Sequence, residues 1–563
     1  MAEAESPEAG TAGGGELFAP ELVVGLVTPL GVDVQAVLND FVRLFKNEVD
    51  YHAETIHLTQ QLSDARRIET TGSTGLDLVE AKIRLGNALA SEIGRASGNG
   101  RRDAFALYAI NGILNSRLNL VRTTDRSADS VLKSRPATRA TYLIRSLKRP
   151  SEITTLRRVY GPWVVIVGVF AEREVRINTL LHQLREEGLV RRQRENQIKA
   201  RIQDLLDRDA REEESEFGQN AREAFADADV FLDVSPNAGP DASRSITRLI
   251  RLLFQDRSYT PSEAEHAMFH AHAAALRSSS PFRQVGAAIV DAHGEVISTG
   301  TNEVPIANGG QSWDKRHAGE PDRRDIAQVE GQMFGETRRK RDLILDTMRR
   351  LAKAGMLEES IRRKIETGDP DLASDLQWTT LKDSELLSLV EFQRPVHAEM
   401  AALMNALAHG STVDGATLYV TAFPCHVCAR HILEAGIRKV VYIEPYPKSR
   451  TPDFYPQDVS VDRDSKSLDQ ISFEPFIGIG PNLYSRLFAS QDRDRIDGEG
   501  HVKQWTGGSN TFPRLGPGDE SRLSQQTALG IRTSEMVAVH DLNEAETKIT
   551  LPVTLSRKPS PTK

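Results

Sequence analysis

The sequence predicts an α/β protein of two domains: a three-layer α/β domain with a mostly parallel sheet, then an α/β/α domain. Three observations predict it. Largely apolar runs at 22–27, 142–144, 163–169 and 230–234 read as strands buried on both faces, the habit of parallel sheets. Stretches of helical periodicity lie between or after them. A hairpin pattern near 285–299 then precedes a helix–strand–helix–strand series between 397 and 444.

Taken in order, residues 1–20 are acidic and Gly/Ala-rich, and no order is expected there. The segment has no basic start and no apolar centre, so no secretory signal is expected there. Leu22–Val27 is the first strand. Pro29 and Gly31 turn the chain, and Val34, Val37, Leu38, Phe41, Val42 and Phe45 recur at helical spacing. This strand–loop–helix opens a first domain spanning 21–240, closed by the turn-rich stretch 233–240. A second domain is expected over 241–495. Within it, residues 308–385 are charged, polar and helical in pattern, and read as an insertion. Residues 496–563 are rich in Gly, Ser, Pro and Thr and are expected to be a poorly ordered tail.

The bulk numbers set limits. The chain has 563 residues, 39% hydrophobic and 27% charged, ordinary for a soluble globular protein. No apolar run reaches the roughly 18 residues of a membrane span. The cytoplasm is the expected location, with no membrane partner. Net charge is −8, whereas a chain whose main task is gripping polynucleotide carries a basic excess. The only two cysteines are Cys425 and Cys428, three apart. That excludes a disulfide framework and points to a metal or redox pair.

Two segments carry chemistry. Pro395 precedes His397 and Glu399; Pro424 precedes Cys425 and Cys428. Pro395 suits a helix entry, and Met400, Leu403, Met404 and Leu407 give the helix 397–409 an apolar face. A helix from Cys425, stopping near Gly436, puts both cysteines on one face, where the helix dipole favours thiolate. Two thiolates and one imidazole give Zn2+ three protein ligands and leave a fourth position for water, the catalytic rather than the structural pattern. Glu399 would stand beside that water and move its proton. A bare C-x-x-C also fits a redox pair. A structural zinc site is a further alternative, with His409, His426 or His431 as fourth ligand.

The ordered pair of segments matches H-x-E … P-C-x-x-C, the signature of zinc nucleobase deaminases. With residues 284–290, 297–302 and 418–425, the C-terminal half resembles the cytidine and deoxycytidylate deaminase family. Residues 21–31, 146–150, 159–161, 444–449 and 473–480 bring the whole chain nearer to the two-domain bacterial antiphage dCTP deaminases. Those join a P-loop-like N-terminal domain to a zinc deaminase domain of cytidine-deaminase-like fold. The resemblance implies conversion of dCTP to dUTP, with dCMP to dUMP as a second reaction, and an antiviral role through dCTP depletion. It implies a sugar contact at Asn302 and substrate contact at Ala398. Arg283, Lys448 and Arg450 flank the motifs and are candidate partners for the substrate phosphates. One departure stands out. The P-loop pattern G-x-x-x-x-G-K-[ST] falls on Thr28, Asp33, Val34 and Gln35, so the Walker A lysine is absent. Nucleotide sensing or a structural role is then expected of the first domain, with a regulatory nucleotide, RNA or protein inhibitor as its partner. A homo-oligomer is also expected. A polynucleotide deaminase (tRNA or single-stranded DNA) using the same zinc site is the main alternative, and a non-enzymatic binding module the second.

Overall fold

The computed structural model describes residues 20–58, 75–97, 102–124, 139–189, 195–210, 220–236, 241–315, 318–319, 322–324, 335–368, 372, 381, 393–445, 449–461, 469–490, 495–513, 515 and 525–548. The expected disorder of the first residues and the candidate Lys448 lie outside them. The chain divides into two compact units, one of residues 1–265 with 477–563, the other of residues 266–476.

The first unit holds a six-stranded sheet. Its strands are β1 (Leu22–Val27), β2 (His52–Ile56), β3 (Ala140–Leu147), β4 (Val164–Phe170), β5 (Val230–Asp233) and β12 (Gly478–Ile479), in the order β12-β5-β4-β1-β3-β2. All neighbours are parallel except β12, which runs antiparallel to β5. The central β1 is buried along its whole length, as its unbroken apolar run requires. The helix Val34–Val49 follows it. Asp33 caps that helix by accepting from Ala36 N at 3.2 Å. Its apolar stripe of Leu38, Phe41 and Phe45 joins Val24, Val165 and Leu232 in one core. In the intervening loop, Asp209 accepts from Leu30 N at 2.6 Å, and Lys148 Nζ donates to Thr28 O at 2.6 Å and to Asp209 at 2.7 Å.

Three expectations are corrected here. The first domain does not stop at 240, because the helix Ala242–Leu253 buries Ile246, Leu249 and Ile250 in the core of β1. The second does not run to 495, because the chain returns at 477 to supply β12 and the helix Pro481–Phe488, whose Leu483 and Leu487 enter that same core. Nor is the stretch beyond 496 without order. Helix Gln525–Lys548 is part of the first unit, and its Glu535, 0% exposed, binds Arg117 at 2.9 Å and Arg532 at 2.7 Å. Arg117 also binds Glu21 at 2.6 Å. Two acids and two arginines close this buried network, so each charge has a partner.

The second unit holds a mixed sheet of β6 (Gly286–Val290), β7 (Val296–Thr301), β8 (Thr417–Ala422), β9 (Lys439–Glu444), β10 (Val459–Val461) and β11 (Ile471–Pro475), in the order β10-β11-β9-β8-β6-β7. The expected hairpin is β6–β7. β8 is antiparallel to β6 and parallel to β9, and β9, β11 and β10 continue in parallel. Two glycines reveal the layering. A Cβ on Gly286 would lie 2.0 Å from Ala271 O in the helix Glu263–Ala275, and one on Gly300 would lie 2.2 Å from Ala398 O in the helix Ala398–Ala408. Gly286 pairs with Thr301 and Ala287 with Gly300, so the two glycines face opposite sides. Helices thus cover both faces, the expected α/β/α arrangement. Within the stretch 308–385, helices Gly335–Lys353 and Glu359–Glu366 are present.

Candidate active site and metal centre

Both chemical segments sit at helix starts on one face of the second sheet. Val396 N donates to Glu303 O at 3.0 Å, which fixes the approach to His397. His397 then takes extended backbone as the N-cap of helix Ala398–Ala408. This places Glu399 in the first turn, pointing inward and 4% exposed. On the other side, β8 leads through Pro424 to Cys425, the N-cap of helix His426–Glu434, and Cys428 follows one turn on. The helix stops at Ala435, and Gly436 beyond it takes a left-handed φ of 75°. The two helices pack together, and Ala398, Ala402, Cys425, Cys428 and Ile432 share one apolar core.

His397 Nδ1 lies 3.3 Å from Cys425 Sγ and 3.4 Å from Cys428 Sγ. The three ligand atoms lie within 4.8 Å of one another. Metal–ligand lengths of about 2.3 Å to sulfur and 2.0–2.1 Å to nitrogen place tetrahedral ligands roughly 3.5 Å apart, so the trio fits one zinc ion. The chemistry of the donors fits as well. The hydrogen bond from Cys428 draws the Cys425 thiol down to about 4, while the same bond and burial push Cys428 up. One thiolate therefore stands ready at neutral pH and the second proton must be displaced. Burial pushes the Glu399 carboxyl up to about 7, against the pull of His397 and with the help of Cys425. A buried carboxyl held above the usual carboxylate range beside these three ligands is suited to carrying protons.

The other expected residues divide. Asn302 uses its side chain on the backbone: Oδ1 accepts from Val285 N at 2.8 Å and Nδ2 donates to Arg283 O at 2.9 Å. It ties the loop before β6 to the end of β7. Ala398 is wholly buried, with its carbonyl oxygen against Gly300. Arg283 is paired with Glu444, whose backbone oxygen accepts from Phe423 N at 2.7 Å, so this cation lies near the cysteine segment with its charge already engaged. Arg450 pairs with Asp453 at 3.1 Å on the surface. Its neighbour Ser449 is tied to Pro424 O at 2.8 Å. One residue absent from the expectations also belongs here. Gln393 Oε1 lies 2.7 Å from His397 Nε2. Its position, four residues before a metal-ligating histidine, is a signal only for a reader looking for the partner of the second ring nitrogen.

Comparison with known proteins agrees with the geometry. Residues 261–444 match the model of the cytidine and deoxycytidylate deaminase zinc-binding region. The deoxycytidylate deaminase of Enterobacteria phage T2 is 28% identical over 163 residues, spanning 29% of this chain and 70% of that protein. The phage T4 deoxycytidylate deaminase is 47% identical over 55 residues, 10% of this chain and 28% of that one. Among solved structures, the dCMP deaminase from cyanophage S-TIM5 in complex with dCMP and dUMP is 17% identical, covering 38% of this chain and 98% of its own, with a TM-score of 0.20. Among the described residues no helix is long and apolar enough to cross a membrane. The metal trio His397, Cys425 and Cys428 lies inside the region that matches the cytidine and deoxycytidylate deaminase zinc-binding model.

Proposed function

We propose that this protein hydrolyses the 4-amino group from free deoxycytidine nucleotides, converting dCTP to dUTP and, as a second reaction, dCMP to dUMP, with release of ammonia. One observation carries the reading: His397, Cys425 and Cys428 converge on a single point with the buried carboxyl of Glu399 beside them.

His397, Cys425 and Cys428 would hold the ion through Nδ1 and two sulfurs. Zinc held there lowers the pKa of a water molecule towards neutrality. Glu399 takes a proton from the attacking water and delivers it to N3 of the pyrimidine. It then takes the remaining proton of the former water, now the C4 hydroxyl, and passes it to the departing amino group as the C4–N bond breaks and C4 keeps the oxygen. Its buried position keeps bulk water away from this transfer. Asn302 holds the loop through which the sugar would be met, and Arg283 is the candidate cation for the phosphates, once it leaves Glu444.

Free nucleotide rather than polymer is supported by the net charge of −8 and by the deoxycytidylate deaminases among the relatives. The triphosphate and the antiviral role, depletion of dCTP in an infected cell, rest on the resemblance to the two-domain antiphage enzymes. The first unit is assigned a regulatory role, because unchecked loss of dCTP would harm the host.

The test is a panel of dCTP, dCMP, CTP, cytidine, single-stranded DNA and tRNA offered to the zinc-loaded protein. Ammonia release is expected from the free deoxynucleotides. Release from polymer alone would replace this reading with the polynucleotide one.

A further inference from the structure

His397 has two ring nitrogens, and the metal reading uses only one. Nδ1 faces both cysteine sulfurs, at 3.3 and 3.4 Å. A neutral imidazole that gives its Nδ1 lone pair to a metal must carry its hydrogen on Nε2. That N–H needs an acceptor. The atom beside it is the side-chain carbonyl of Gln393, at 2.7 Å. Only the oxygen end of the amide satisfies the bond, so the contact fixes the tautomer of the histidine and the orientation of the glutamine together. The backbone between the two residues is itself restrained, by Pro395 and by the bond from Val396 N to Glu303 O at 3.0 Å.

We infer that Gln393 is a positioning residue of the metal centre, holding the His397 ring so that Nδ1 points at the two sulfurs. The inference rests on the zinc reading of the trio and adds the residue that orients one ligand. The choice of an amide has a chemical sense. Two thiolates already cancel the charge of a divalent ion, and a neutral acceptor orients the imidazole without adding a third negative charge.

The test is zinc affinity, measured on the full chain by competition with a chromophoric chelator, so that no turnover is needed. Gln393→Leu keeps the bulk and removes the acceptor; it should weaken zinc binding by about 10–100-fold. Gln393→Glu restores an acceptor and should return affinity to within a few-fold of the wild type. With cobalt in place of zinc, the visible bands of Gln393→Leu should shift from those of the wild type, which a purely structural residue would not cause. If Gln393→Leu fails to fold, Gln393→Ser, too short to reach the ring, should show the same loss. Zinc affinity within twofold of wild type in the leucine or serine variant, or a glutamate variant as weak as either, overturns the inference. Its failure is separable from that of the deaminase reading. A wild type that binds zinc and deaminates no cytosine nucleotide sinks the latter alone, and a tight-binding leucine variant of an active enzyme sinks the former alone.

Discussion

Gly300 lies so close beneath Ala398 that a Cβ on it would stand 2.2 Å from the Ala398 carbonyl oxygen and 2.3 Å from Ala402 N. Glycine is needed there for space. The helix that starts at Ala398 carries Glu399 and follows directly on His397, so the depth of that helix on β7 sets the position of both.

Gly300→Ala should therefore lift the helix from the sheet. Overpacking of this kind costs about 1–3 kcal/mol. Unfolding should move to lower temperature, and zinc affinity should fall with it because His397 is displaced. Wild-type melting and affinity in Gly300→Ala would show that the sheet does not set the helix depth.

Zinc binding should tighten with rising pH. Cys425, drawn down to about 4, has lost its proton across the working range, whereas Cys428 is pushed up and keeps its own. Binding must release the Cys428 proton. Affinity should then rise about tenfold per pH unit between about pH 7 and 8, where an ordinary imidazole is already neutral and one thiol proton leaves per ion. Chelator competition at several pH values measures the slope; an affinity independent of pH contradicts it.

Glu535→Ala should destabilise the first unit strongly. It leaves Arg117 and Arg532, 3% and 6% exposed, with Glu21 alone between them. Removing one partner of a buried ion pair costs about 3–5 kcal/mol. Glu544→Ala, which breaks an exposed pair with Lys548 in the same helix, should leave stability nearly unchanged. Denaturant unfolding of the full chain distinguishes them, and equal small effects would show that the helix is not anchored by this network.

The first unit should not transfer phosphate. No lysine stands at the Walker A position, and the loop after β1 is tied to the carboxylate of Asp209 through Leu30 N and, by way of Lys148, through Thr28 O. Purified protein should release no phosphate from ATP, GTP or dCTP. Phosphate release that Lys148→Ala abolishes would contradict this.

The centre of the molecule was legible because its signals are local. Largely apolar runs marked β1, β4 and β5, and spacing put His397, Glu399, Cys425 and Cys428 at helix starts. What escaped was written in other terms. β2 is an edge strand of sequence His-Ala-Glu-Thr-Ile, with no apolar run to mark it. The C-terminal helix buries Arg532 and Glu535, which read as solvent-facing until their partners Arg117 and Glu21 are known. The return of the chain at 477 into the first sheet is a long-range pairing with no local sign. Gln393 is identifiable only once the histidine ring has an orientation.

The proposed role of Glu399 is to move the protons in a zinc-dependent deamination of a free deoxycytidine nucleotide. Its most direct test is dUTP formation from dCTP by the wild type and by Glu399→Ala at equal zinc content. The wild type should convert dCTP, and the variant should retain zinc with a kcat lower by about 10²–10⁴-fold. A zinc-replete wild type that leaves dCTP and dCMP unchanged, or a variant as fast as the wild type, would contradict it.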